Sequence, residues 1–105
     1  MKLINYTPHE ITIGDETIPL SGEVARLTEE RREVTISGGI TYTSVRVTGL
    51  NMELVNPHNN TFYVVSRPVA EYIRLPHIVS PDKYLRDKKG NIIGCEGICW
   101  FPKGF

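Results

Sequence analysis

Phe62-Tyr63-Val64-Val65-Ser66-Arg67-Pro68-Val69-Ala70-Glu71-Tyr72-Ile73 passes from an apolar run to helical spacing in a single step, and its reading decides the rest. The first four residues are aromatic or β-branched and read as a buried strand. Ser66 or Arg67 stands where a helix cap belongs, and Pro68 fits the first turn, whose amide has no helical partner in any case. The helix is short, because Pro76 forces Leu75 toward extended geometry and the pattern cannot pass Arg74. Ile78-Val79 then resumes as a short apolar strand. A strand, helix, strand order favours a right-handed crossover if the strands are parallel neighbours, although this connection is shorter than most such crossovers.

Toward the N-terminus the pattern is almost entirely β. Ile11 and Ile13 alternate with Thr12, Gly14-Asp15-Glu16 interrupts, and Thr17-Ile18-Pro19-Leu20 completes a hairpin. Ser21-Gly22 signals a turn, after which alternation over Glu23 to Leu27 predicts a third strand. The mixed-charge run Thr28-Glu29-Glu30-Arg31-Arg32-Glu33 reads as a solvated loop or ribbon tip. Val34-Thr35-Ile36, the break at Gly38-Gly39, and Ile40 to Thr48 predict another hairpin. Gly49 to Asn60 has the Asn and Pro content of a loop, and marks an internal boundary within one domain. Beyond the helix, Tyr84 to Asp87 and Ile92 to Cys95 flank the turn Lys88-Lys89-Gly90-Asn91 and form a last hairpin. The expected fold is α+β: a mainly antiparallel β-sheet or sandwich carrying one short helix, as a single domain over 1–105.

The totals narrow the function. At 105 residues the chain holds one modest core and no cleft between two lobes. Lys plus Arg equals Asp plus Glu at 12 each, so the electrostatic footprint that duplex nucleic acid requires is missing. No apolar run approaches the roughly 20 residues that span a bilayer. The N-terminus lacks the pattern of a signal peptide, so a cytoplasmic location is expected, with Cys95 and Cys99 reduced and no membrane partner.

The strand-to-helix step is the leading candidate for a binding site. Unpaired amides at a helix start attract anions, and an arginine beside them adds a fixed charge and a planar fork of donors. Ser66 and Arg67 are therefore expected to contact phosphate. Arg26, within a β-like segment, and Arg86, ahead of a turn, are candidates to converge with Arg67 on the same anion. Tyr63, like Tyr42 or Trp100, offers a ring on which a base stacks. Asp87, with Asp82, Asn59 and Asn60 as alternatives, suits ribose hydroxyls, and His9 stands at a sheet edge between two strand pieces.

Catalytic engines are not evident. His9, His58 and His77 each follow a proline but lack ligand spacing, and Cys95 and Cys99, four apart, share one face of a strand without a second cysteine pair. There is no Walker-type phosphate loop, no HExxH and no GxSxG. No cofactor, metal or catalytic residue is expected, and binding is expected rather than turnover.

The segments Ile4-Asn5-Tyr6-Thr7-Pro8-His9-Glu10-Ile11, Leu20-Ser21-Gly22-Glu23-Val24-Ala25-Arg26, Tyr63-Val64-Val65-Ser66-Arg67, Val69-Ala70-Glu71, Arg86-Asp87 and Ile93-Gly94-Cys95 together resemble a family of small uncharacterised bacteriophage and prophage proteins. The resemblance runs through nearly the whole chain and implies a phage origin, in the host cytoplasm. Small phage proteins of this size include sponges that sequester nucleotide immune signals in Thoeris and CBASS defence. The resemblance implies origin more than activity; with that origin, the small size and the lack of enzymatic motifs, the expected function is a noncatalytic anti-defence protein that holds a cyclic ADP-ribose isomer or cyclic oligonucleotide. Three other readings remain: a direct inhibitor of a host or defence protein, an enzyme that degrades the signal, and a structural part of the virion. A homo-oligomer is expected, because so short a chain has little room to enclose a ligand alone and exposed sheet edges are natural joining surfaces.

Overall fold

The computed structural model describes residues 1–54 and 60–104. Strands dominate, and the helix at the decisive stretch is the single α-helix among the described residues, so the α+β reading holds. In chain order the elements are β1 (Lys2–Asn5), β2 (Ile11–Ile13), β3 (Glu16–Ile18), β4 (Leu27–Thr35), β5 (Thr41–Leu50), β6 (Thr61–Val64), α1 (Arg67–Ile73), β7 (Ile78–Arg86) and β8 (Ile92–Cys99). Six strands form one mixed sheet in the order β1-β6-β7-β8-β2-β3, and β4 pairs only with β5 in a separate two-stranded arm.

The β2–β3, β7–β8 and β4–β5 pairs are the antiparallel hairpins that their turn residues foretell. Gly14 opens the β2–β3 turn at a φ of 59°, which a residue without Cβ adopts freely. The helix lies between two parallel neighbours, β6 and β7, as the strand, helix, strand order allows. It ends at Arg74, in the left-handed conformation, with its N–H bonded to the Ala70 carbonyl, two residues ahead of Pro76.

Two long-range parallel pairings order the sheet. β1 lies in register with β6 from Lys2↔Thr61 to Asn5↔Val64, and β2 meets β8 at Ile13↔Cys95. A bridge between Asn5 and Leu20, just past β3, then brings the two edges of the sheet together. Asn5 is almost fully buried at this seam and its amide is fully used. Nδ2 donates to the carbonyls of His9, at 2.8 Å, and Ile18, at 3.3 Å, while Oδ1 accepts from the Thr7 amide at 2.9 Å. The Thr7 hydroxyl lies 2.6 Å from Asn5 Oδ1 and 2.9 Å from the His9 carbonyl, and its one proton serves one of them at a time.

β6 is buried on both faces, as a central strand with parallel neighbours must be. Tyr63 and Val65 face a core that also contains Val69 and Ala70 of α1, Ile78 and Ala25. Leu27 and Leu50, an opposed pair at the root of the arm, pack against this core and anchor the arm to the body. Val64, alternating to the other face, is completely buried there. Gly94 of β8 answers a close approach of backbones, since a Cβ at that position would lie 3.1 Å from the carbonyl oxygen of Thr12.

Two expectations fail. The third strand begins at Leu27, not Glu23. Residues 23–26 are irregular and are held by other means: Ala25 donates to the Tyr6 carbonyl at 2.9 Å, and Asn51 brackets the segment. The charged run from Thr28 to Glu33 is neither loop nor tip but the body of β4. It needs no buried face, because the arm projects into solvent and its charges pair with each other. Glu30 meets Arg46 across the strands at 2.5 Å and Arg32 at 3.4 Å, and Glu29 meets Arg31 at 3.2 Å.

Candidate functional site

Where β1 ends, the chain turns through Tyr6, Thr7 and Pro8, and this turn faces both the approach to β4 and the start of α1. The three segments enclose a cleft of about 330 Å³. Its polar lining comes from Tyr6, Thr7, Arg26, Glu29 and Ser66, and Val24 and Val69 contribute apolar wall. Two of the residues singled out in the sequence, Arg26 and Ser66, thus meet although 40 positions separate them.

Asn51 sets the position of Arg26. Its Oδ1 accepts from the Arg26 amide at 2.8 Å, its own amide donates to the Arg26 carbonyl at 2.9 Å, and its Nδ2 donates to the Val24 carbonyl at 2.9 Å. The backbone at Arg26 is therefore clamped on both sides, while the guanidinium is exposed and forms no ion pair within the 4 Å limit for such pairs among the described residues. Ser66 occupies the N-cap position of α1 with extended backbone, yet its side chain makes no capping bond, which leaves the hydroxyl available at the cleft. Pro68 sits in the first turn of the helix, as its fixed φ suits.

Tyr6 supplies the aromatic element. Its ring stands edge-on to that of Tyr63, with centroids 5.4 Å apart and planes at 80°. Burial raises the pKa of its phenol above the ordinary value, and the nearby Tyr63 and Glu23 raise it further. The group is a neutral O–H donor throughout the physiological range. Glu29 is the one acidic side chain in the lining, so the cleft presents a guanidinium, a carboxylate and three hydroxyls: a surface for a polar ligand with both donors and acceptors.

The other expected site residues lie elsewhere. Arg67 turns away from the cleft: Nε donates to Glu71 Oε1 at 2.6 Å, one helical turn on, and the guanidinium lies 5.3 Å from the centroid of Phe101. Its side chain is 72 % exposed, and the hydrogen bond to Glu71, followed by that residue's charge, raises its pKa further. Tyr63 is in the core, between Tyr6 and His77, whose ring centroid is 6.0 Å away. His9 is exposed, and its carbonyl serves the Asn5 seam. Arg86 ends β7 and Asp87 opens the turn to β8. Arg86 Nη1 donates to the Gly90 carbonyl at 2.8 Å, and Asp87 Oδ1 accepts from the amides of Lys89 and Asn91 at 2.9 and 3.0 Å. Asn59 and His58 lie outside the described residues.

Cys95 is buried in β8, and Cys99 at the end of the same strand is partly buried. Burial raises the pKa of the Cys99 thiol and Asp82 adds to the rise, against a smaller lowering by Arg67, so the thiol stays protonated and is a poor nucleophile. Among the described residues no group of three or more His, Cys, Asp or Glu side chains is placed to hold a metal ion, and no helix is long and apolar enough to cross a membrane. Sequence reasoning missed Tyr6, Thr7 and Asn51. Tyr6 and Thr7 carry a local signal, standing where the β1 pattern breaks ahead of Pro8, whereas the clamp by Asn51 joins residues 25 positions apart and leaves none.

Comparison of the chain with protein-family models, with curated proteins and with solved structures gave no match.

Proposed function

We propose that the protein is a noncatalytic phage anti-defence protein that sequesters a small nucleotide signal, a cyclic ADP-ribose isomer or cyclic oligonucleotide, in the cleft between Tyr6, Arg26 and Ser66. The observation that supports this reading is the pairing, in one cleft, of a guanidinium that forms no ion pair among the described residues and a serine hydroxyl that its own helix leaves unused. Arg26 is the group for a phosphate, because a guanidinium offers two parallel donors to such an anion and its backbone is already fixed by Asn51. Ser66 and the Tyr6 phenol donate to further oxygens, and the Tyr6 ring is the surface for a base. The cleft volume is at the small end of ligand pockets, which suits one nucleotide unit. Arg67, committed to Glu71, plays no direct part.

The test is titration calorimetry of the full chain with cyclic ADP-ribose isomers and cyclic oligonucleotides, joined to mass spectrometry of whatever the purified protein releases on heating. Binding is expected for one of these classes, with the ligand recovered intact. Arg26→Ala is expected to weaken it by about 2 kcal/mol, or roughly thirtyfold, and Arg67→Ala to leave it within a factor of about two. Full binding by Arg26→Ala removes the cleft from the reading. Ligand recovered in cleaved form identifies an enzyme, and a protein that takes none of these nucleotides but forms a complex with a defence protein identifies a direct inhibitor.

A further inference from the structure

The arm formed by β4 and β5 ends in an apolar face that no other described residue covers. Opposed residues of an antiparallel pair share a face, and Val34 stands opposite Tyr42. Ile36 stands opposite Ile40, to which its amide donates at 2.8 Å, and both remain extended. The two-residue period therefore places Val34, Ile36, Ile40 and Tyr42 together, with exposures of 60 %, 47 %, 61 % and 67 %. Below them on that face lie Glu30, Arg32 and Arg46, already paired with each other. The arm carries three arginines and three glutamates, so it is a neutral shaft with an apolar end, not a charged lure.

The surface of the molecule is larger than its length requires. A folded monomer of this length exposes about 5,900 Å², whereas this chain exposes 7720 Å². Its radius of gyration is 16.7 Å, against about 13 Å for a compact domain of the same size. The excess of about 1,800 Å² per chain is roughly twice the ~800 Å² that each partner gives up in a standard interface, and falls in the range of the larger interfaces of permanent dimers. The body also has a seat: a groove of about 170 Å³ beside the β7–β8 hairpin, bordered by Ile11, Tyr84, Ile92 and Ile93, the last three exposed. A chain with no net charge meets no long-range repulsion from its own copies.

We propose that the apolar tip of the arm docks in the β7–β8 groove of a second copy of this chain, and that reciprocal docking closes a two-fold dimer. Each copy gives an arm and receives one, so the assembly ends at two without leaving a free tip. The cleft at Arg26 takes no part in this contact, and the dimer stands or falls independently of any ligand there.

Sedimentation velocity of the full chain across a range of concentrations tests it. The expected result is a species of twice the monomer mass. Tyr42→Asp at the tip and Ile93→Lys in the groove should each raise the dimer dissociation constant more than about tenfold with an unchanged circular dichroism spectrum, while Thr43→Asp, on the opposite face of the arm, should leave it unaltered. Mixing the Tyr42→Asp and Ile93→Lys variants should restore a weaker dimer, because one intact tip then meets one intact groove. A wild-type chain that stays monomeric at every concentration overturns the proposal, as does a dimer indifferent to Ile93→Lys, a mixture that restores nothing, or a monomer that gains mass only with a different protein.

Discussion

Asn5 shows how much one side chain can hold. Its carboxamide joins the end of β1, the Thr7 turn, His9 and the last residue of β3, and does so away from water, where an unmade bond is expensive. Asn5→Ala strands the Ile18 carbonyl and the Thr7 amide, while the Thr7 hydroxyl still reaches the His9 carbonyl, and a loss of about 3 kcal/mol is expected in urea unfolding. A loss under about 1 kcal/mol would show that the seam is held by other groups. Asp87 is the opposite case, exposed and local. The Asn91 amide above all holds its carboxyl below the ordinary range, against the opposing effect of desolvation and with further bonds from Lys89 and the Asn91 side chain. Its bound state is thus favoured when charged. The contribution is complete above the unfolded value of about 3.9 and is lost as pH falls through the lower folded value. Amide shifts of Lys89 and Asn91, followed by nuclear magnetic resonance, should therefore titrate with a midpoint below that of a free aspartate; a midpoint at or above it would contradict the turn geometry.

At the scale of elements, the close contact of β8 with β2 rests on Gly94. A side chain there would push against the backbone oxygen of Thr12, which cannot swing aside as a flexible side chain does. Gly94→Val should cost about 2 kcal/mol, seen as a lower melting temperature, whereas Gly97→Ala, with open space around its Cβ position, should be tolerated. Equal melting of the two variants would refute the close approach. The elements that could be read in the sequence are those whose signals are local. Gly14-Asp15, Gly38-Gly39 and Lys88 to Asn91 mark their hairpins, and Pro68 and Pro76 bracket the helix. β4 was hidden because its side chains pair as charges, two pairs within the strand and one across to Arg46, and charge alternation carries no apolar period to detect. Residues 23–26 gave a false strand for the converse reason: their alternation is real but short, and Tyr6 and Asn51 satisfy their backbone where a ladder would.

For the molecule as a whole, composition and turn spacing were enough for the fold class, since one short helix among many short strands leaves few other architectures. The arrangement of the sheet was not legible, because β1–β6 and β2–β8 join segments that lie far apart in sequence and no short motif encodes such pairings. The candidate site divides in the same way. Arg26 and Ser66 were visible as residue types, but which of the arginines meets the serine depends on those long-range pairings, and Arg67, adjacent to Ser66 in sequence, is diverted by a glutamate one turn ahead.

The same pairings set an order of events during synthesis. The arm closes over a few residues, Thr35 to Thr41, and can form as soon as it leaves the ribosome. β1 must wait for β6 to emerge, and β2 for β8, almost the entire length of the message later. A nascent chain thus carries its finished arm ahead of an unfinished body, with the apolar tip presented to chaperones and sister chains before the β7–β8 hairpin has been made.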